Sequence, residues 1–342
     1  MRPYLATSFY KKCKSTIQNR ALMQTYLKTR PAWIQLLLFL GMSFGILMVV
    51  FLIGGITLSK ITGISMLEMG NIKNWNASDP NMLFMLRGMI VLQFLGLFLI
   101  PSLLFAYFSD PQPMRYLGLR KPTKTVYWVL GIAAMLIAIP LVEYTGVLNK
   151  QFPFGDGTQK WLQDMEEEAA KTIQFMLAKN TLTDLILNLI LIAIFAGVGE
   201  ELFFRGVLQR LFIKAFKNPW AGIIVAALLF SFFHFQFFGF IPRFLLGILL
   251  GAVYWYSGSL WPAIIAHFVY DAFFIILAYF QPQLIQNTEV TLFDQSSLAM
   301  MALVSAAIVV AIVWWMKKMA VTTYESVYAG DKPNTSEKDF TF

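Results

Sequence analysis

The chain reads as an all-α, polytopic integral membrane protein of about eight transmembrane helices. Three observations predict this. Of its 342 residues, 58% are hydrophobic and 13% charged, against about 25% charged in soluble domains, and the mean hydropathy is +0.62. The apolar residues gather in runs close to the roughly 20 that a helix needs to cross a bilayer. Nineteen of the 27 Lys and Arg fall in segments that alternate with acid-richer ones, as the positive-inside rule requires.

Taken in order, residues 1–31 carry seven Lys or Arg and no acid, which predicts a basic cytoplasmic segment. Cys13, the only cysteine, lies there, so no intrachain disulfide or Cys-based metal site is expected. Span 1, about 32–58, is too long for a signal-peptide core and reads as a signal anchor. Asn76-Ala77-Ser78, in the loop that follows, fits a glycosylation sequon by pattern alone. Span 2 is about 89–108, with Arg87 at its mouth and Pro101 inside it. The loop 109–125 holds Arg115, Arg120, Lys121 and Lys124 and is placed inside. Span 3, about 126–148, opens on Tyr127 and Trp128 as interface anchors and completes a first group of spans over 32–148. Residues 149–184 carry six acids and are placed outside, with an amphipathic helix expected over 159–178.

Span 4 starts near Leu185 and runs into Glu200-Glu201-Leu202-Phe203-Phe204-Arg205, followed by basic residues and the breaking pair Asn218-Pro219. Span 5 is about 221–238 and carries His234. Span 6, about 242–256, is short enough to be tilted or only partly spanning. Ser257-Gly258-Ser259 forms a turn, and span 7, about 260–280, carries His267 and Asp271. Span 8 is about 297–316, and 317–342 is a polar cytoplasmic tail. Eight spans with both termini inside satisfy every loop. A bacterial inner membrane is the expected location. The net charge of +8 resides in the inside loops, so nucleic acid is not an expected partner. The expected partners are the bilayer and a membrane-associated protein or peptide.

The chemistry concentrates in spans 4, 5 and 7. Ionisable side chains at membrane depth are costly and are functional candidates by default. Both histidines of the chain, His234 and His267, fall in predicted spans. Glu201 and Arg205 are four apart on a helix and can pair, while Glu200 points about 140° away from Arg205. A carboxylate locked to Arg is a poor proton acceptor, and one without a cation in a half-dry pocket is a better one. Glu200 is therefore the expected general base, with Glu201 and Arg205 supporting. His267 and Asp271 also share a face. Phe230, one turn before His234, reads as packing.

Such a set suits hydrolysis. A carboxylate deprotonates water, and His with neutral donors stabilises the oxyanion, or two His and a carboxylate hold zinc. Zinc is the one cofactor expected, with Glu200, His234, His267 and Asp271 as its candidate ligands. A metal would also give the charged Asp271 a role. By rise per residue, Glu200 lies about 24 Å down span 4, His267 about 10 Å up span 7 and His234 about 20 Å up span 5, which is deeper than either. No His-Glu-x-x-His, Gly-x-Gly-Asp, Gly-x-Ser-Gly or phosphate-binding Gly-rich loop occurs.

Glu200-Glu201-x-x-x-Arg205, Phe230-x-x-x-His234 and His267-x-x-x-Asp271 resemble the three ordered motifs of the CPBP intramembrane proteases, which include CAAX prenyl endopeptidases and bacteriocin-immunity proteins. The resemblance covers roughly 182–280. It implies a Glu-activated water at Glu200 assisted by His234, with His267 and Asp271 lining the pocket. Asp271 stands where the motif often has Asn. A charged Asp repels an oxyanion, so it must be protonated, paired with His267 or metal-bound. Two other readings are a non-catalytic immunity or scaffold protein of the same fold and a proton-coupled transporter. No internal repeat supports the transporter.

Overall fold

The computed structural model describes residues 26–70, 75–76, 79–153, 155–283 and 292–328. Expectations for the basic leader up to residue 25 with Cys13, for Ala77-Ser78 of the sequon and for the tail beyond residue 328 lie outside these. The described chain is helical, with no strand among the described residues. The main helices are α1 (Ala32–Thr62), α2 (Pro80–Ser109), α3 (Val126–Lys150), α4 (Asp156–Leu177), α5 (Leu182–Phe216), α6 (Pro219–Phe232), α7 (Phe240–Ser257), α8 (Trp261–Phe280), α9 (Gln295–Met319) and the short α10 (Tyr324–Tyr328).

Seven of them are long and apolar enough to cross a membrane: α1, α2, α3, α5, α7 with the turn before it, α8 and α9. The protein is all-α and polytopic, close to the expected eight spans. The exception is α6, at 14 residues, or about 21 Å at 1.5 Å per residue. The short element was expected at span 6. Span 6 is instead a full helix, and span 5 is the one that stops early.

Burial ranks the helices. Within its most apolar window α7 is 56% buried and α8 44%, against 11% for α1. α1 exposes Leu37, Phe44, Leu52 and Ile53, the face a lipid-contacting helix presents. One apolar core joins α3, α7, α8 and α9 through Tyr127, Met135, Leu250, Val253, Ala266 and Met316. A second joins α1, α2 and α5 through Phe39, Phe105, Phe203 and Leu208. α7 and α8 thus form the inner wall of the bundle.

Local chemistry explains the boundaries. Asn218 caps α6, its side chain accepting from the backbone of Trp220 and Ala221, with Pro219 at the first helical position. Gly258 closes α7 in the left-handed conformation (φ 65°). α2 widens to π-helical geometry over Phe94–Leu99, just before Pro101, which has no N–H to donate. The expected amphipathic helix is α4. It buries Leu162 and Met176, and Asn188 of α5 donates to the Met176 carbonyl (3.1 Å).

Candidate active site

α5 supplies three of the candidate residues. From Glu201 to Gln209 it is π-helical, immediately after Glu200; widened turns of this kind recur at functional sites. Glu201 and Arg205 are paired as expected. Arg205 Nη1 donates to Glu201 Oε1 at 2.6 Å, and the two side chains are 1% and 0% exposed. The pair is anchored from two further sides. Arg205 Nη2 donates to the Gly247 carbonyl of α7 (3.2 Å), and its guanidinium lies 4.4 Å from the centre of the Phe230 ring. One turn along, Gln209 donates to the Gly251 carbonyl (3.1 Å). Gly247 and Gly251 are spaced i, i+4, so α7 offers a strip without side chains onto which α5 can lean. A Cβ on Gly251 would lie 2.6 Å from Gln209 Oε1.

Glu201 does more than pair with Arg205. Its Oε1 also lies 2.9 Å from His267 Nδ1. A carboxylate oxygen accepts, so Nδ1 carries the proton. The other edge of the ring, Nε2, faces Asp271 Oδ2 at 3.4 Å. Asp271 is therefore paired with His267, one of the three settings its charge requires. A single proton between Nε2 and Oδ2 makes that contact attractive.

His234 is not on a helix. α6 ends at Phe232, and His234 sits in the turn that follows, where Phe235 takes a positive φ of 53°. Backbone outside a helix persists at membrane depth only where protein or a cavity satisfies it. Here Arg243 donates to the Gln236 carbonyl and to its side-chain Oε1, Asn149 of α3 donates to the Phe237 carbonyl, and Ser231 donates to the Phe240 carbonyl. His234 Nδ1 is 2.7 Å from the Phe230 carbonyl. A carbonyl only accepts, so Nδ1 holds the proton and the neutral ring offers Nε2 as an acceptor. Nε2 lies 4.0 Å from Glu200 Oε2, a separation that asks for a bridging water.

All four proposed reactive groups, Glu200, His234, His267 and Asp271, line one cavity of about 910 Å³. Its walls are apolar: Phe94 and Phe98 of α2, Phe195 of α5, Leu246 and Leu250 of α7, with Ile173 and Leu177 of α4 across it. Phe230, read as packing, is central. Its ring meets His234 edge-on at 4.9 Å, His267 at 6.1 Å and the Arg205 guanidinium.

Sequence reasoning passed over Arg243, Gln236 and Tyr270, which share the cavity. Arg243 carried a usable signal, being an ionisable residue at the start of a predicted span. The Gly247–Gly251 spacing was equally legible. Among the described residues, no three His, Cys, Asp or Glu side chains form a group that could hold a metal. His267 is already engaged at both ring nitrogens.

Residues 182–273 match the family model described as "Type II CAAX prenyl endopeptidase Rce1-like". The matched stretch is a little over a quarter of the chain, runs from α5 into α8, and contains every candidate residue named above. No curated protein and no solved structure matches the chain. Over α5–α8 the protein is similar to the type II CAAX prenyl endopeptidases, the relationship that its three ordered motifs carry.

Proposed function

We propose that this protein is an intramembrane endopeptidase that hydrolyses a peptide bond of a membrane-associated substrate. The observation that carries the reading is the open Glu200–His234 pair, 4.0 Å apart in an apolar cavity, beside a histidine held from both sides. In this mechanism a water between Glu200 and His234 Nε2 gives a proton to Glu200 as its oxygen attacks the scissile carbonyl carbon. His267 and Asp271, with the proton between them, stabilise the oxyanion that forms. Glu200 then returns its proton to the leaving nitrogen as the C–N bond breaks, leaving a carboxylic acid and an amine. No step requires a metal.

The cavity walls suit a hydrophobic or lipid-bearing segment. The matched family is described as a CAAX prenyl endopeptidase, and a prenylated CAAX protein as the substrate comes to this chain as part of the proposal. The test compares peptides released from membranes expressing the wild type and Glu200→Ala. Products present only with the wild type support the proposal. Identical peptide profiles, with both proteins folded and inserted, would favour the non-catalytic immunity or scaffold reading.

A further inference from the structure

The large cavity holds a second set of polar groups that the hydrolytic steps leave unused. Arg243, near the N-terminus of α7, is the only Lys or Arg among its described lining residues. The guanidinium is held from one side, Nη1 donating to the Gln236 carbonyl (2.8 Å) and Nη2 to Gln236 Oε1 (2.5 Å). It packs over bare backbone at Gly239, where a Cβ would lie 2.8 Å from both nitrogens. Both acceptors are neutral, and a guanidinium has more N–H donors than these two bonds use. Glu166 of α4 and Glu200 attract Arg243. Neither forms an ion pair with it, unlike the carboxylates that hold Arg87 and Arg205.

Tyr270 of α8 lines the same cavity and is 9% exposed. Among the described residues its hydroxyl has no hydrogen-bond partner. The charge of Arg243 acts on that hydroxyl, which places the two donors in one part of the cavity. Glu143 and Asp271 act on it too, without accepting from it.

A cation at membrane depth without an ion pair and a buried hydroxyl without an acceptor are each costly. One anion with two oxygens relieves both. A guanidinium fork matches a carboxylate in shape and charge, and the positive end of the α7 dipole favours an anion there.

We propose that Arg243 and Tyr270 hold a carboxylate of the substrate and so select which peptide bond reaches Glu200 and His234. Arg243 supplies the charged donors and Tyr270 the hydroxyl. The carboxylate of a chain terminus and that of an Asp or Glu side chain share this chemistry. The assignment rests on the hydrolytic reading of the cavity, because it takes the ligand to be the substrate.

The test reads binding rather than turnover. Full-length Glu200→Gln protein is purified in a non-ionic detergent, and binding of a fluorescent, dodecanoylated leucine peptide is followed by polarisation. The peptide is used in three forms: with a free C-terminal carboxylate, with a C-terminal amide, and with the amide plus an internal aspartate. At least one carboxylate form should bind about tenfold or more tightly than the plain amide, and which one does so identifies the source. Adding Arg243→Gln should bring the three forms to equal affinity. A loosened turn alone would weaken all three alike and keep the preference, which would overturn the proposal. Tyr270→Phe removes one oxygen from a packed ring and should cut the preference about threefold; an unchanged preference would remove Tyr270 from the site. Equal binding of the three forms by Glu200→Gln, or no binding, overturns the proposal, and cleavage of membrane substrates by the wild type would then leave the hydrolytic reading standing. A preference that emerges only on adding Glu166→Gln also overturns it, because Glu166 would then be the anion that Arg243 holds.

Discussion

Glu200 and Glu201 are neighbours on α5 and live in different physical settings. Glu201 is fully buried, and its Oε1 is shared by Arg205 and His267. Glu200 opens onto a cavity and faces His234 across 4.0 Å. A carboxylate locked to an Arg and a His by one oxygen is held by charge and geometry and is a poor proton acceptor. A carboxylate facing an acceptor nitrogen across a water-sized gap is free to take a proton. The buried arm from Gly247 through Arg205 to Glu201 is scaffold that holds His267 in place, and the open pair with His267 and Asp271 is the proposed machinery. One helix carries both because consecutive side chains point about 100° apart.

Five substitutions or treatments separate these roles. The largest expected effect is on turnover. Glu200→Gln should reduce cleavage about 10²–10⁴-fold while expression and thermal unfolding stay near wild type. Full cleavage by a folded Glu200→Gln protein would end the assignment. Glu201→Gln should act on stability instead. It leaves Arg205 buried without its charge partner, at a cost of about 3–5 kcal/mol. Folded yield should fall first, with activity falling as a consequence. The double change Glu201→Gln with Arg205→Met should cost less than the sum of the two single changes, measured by chemical denaturation. If Glu201→Gln folds normally yet is inactive, the division of labour between the two glutamates is reversed.

A smaller effect is expected at the turn that carries His234. Arg243→Gln removes two hydrogen bonds to Gln236; bonds to a charged donor are worth about 1.5–3 kcal/mol each. Because the turn can find other partners in the cavity, the expected net loss of stability is about 1–2 kcal/mol. Cleavage should fall by about tenfold, without the loss of folded yield seen for Glu201→Gln. Wild-type cleavage by Arg243→Gln would show that the turn keeps His234 in place unaided. The smallest effect is expected from metal removal. Cleavage should continue in the presence of strong chelators. Stoichiometric zinc in the purified wild type, lost on His234→Ala, would instead restore the metal-assisted reading.

The Glu201–Arg205 and His267–Asp271 pairs were legible because they are local. Residues four apart on a helix meet whatever else surrounds them. The helical membrane class was legible for a similar reason, since hydropathy is summed over one segment at a time. The end of α6 was not legible. From Phe230 to Phe240 the chain is almost continuously apolar and aromatic, so periodicity extends span 5 through His234. Its actual stop at Phe232 rests on partners contributed by Asn149 and Arg243, on two other helices.

By itself, then, the amino-acid order determined the helical membrane class, the break at Asn218, the turn at Gly258 and the two i, i+4 pairs. Only the tertiary structure decided that Glu201 also binds His267, that His234 sits in a turn rather than a helix, and that Phe230 is the ring around which the site packs. It also decided that Gly247 and Gly251 receive Arg205 and Gln209. Each of these is a contact between segments far apart in the chain. Which distant groups meet depends on how all the helices pack together, and no single window of sequence contains that information.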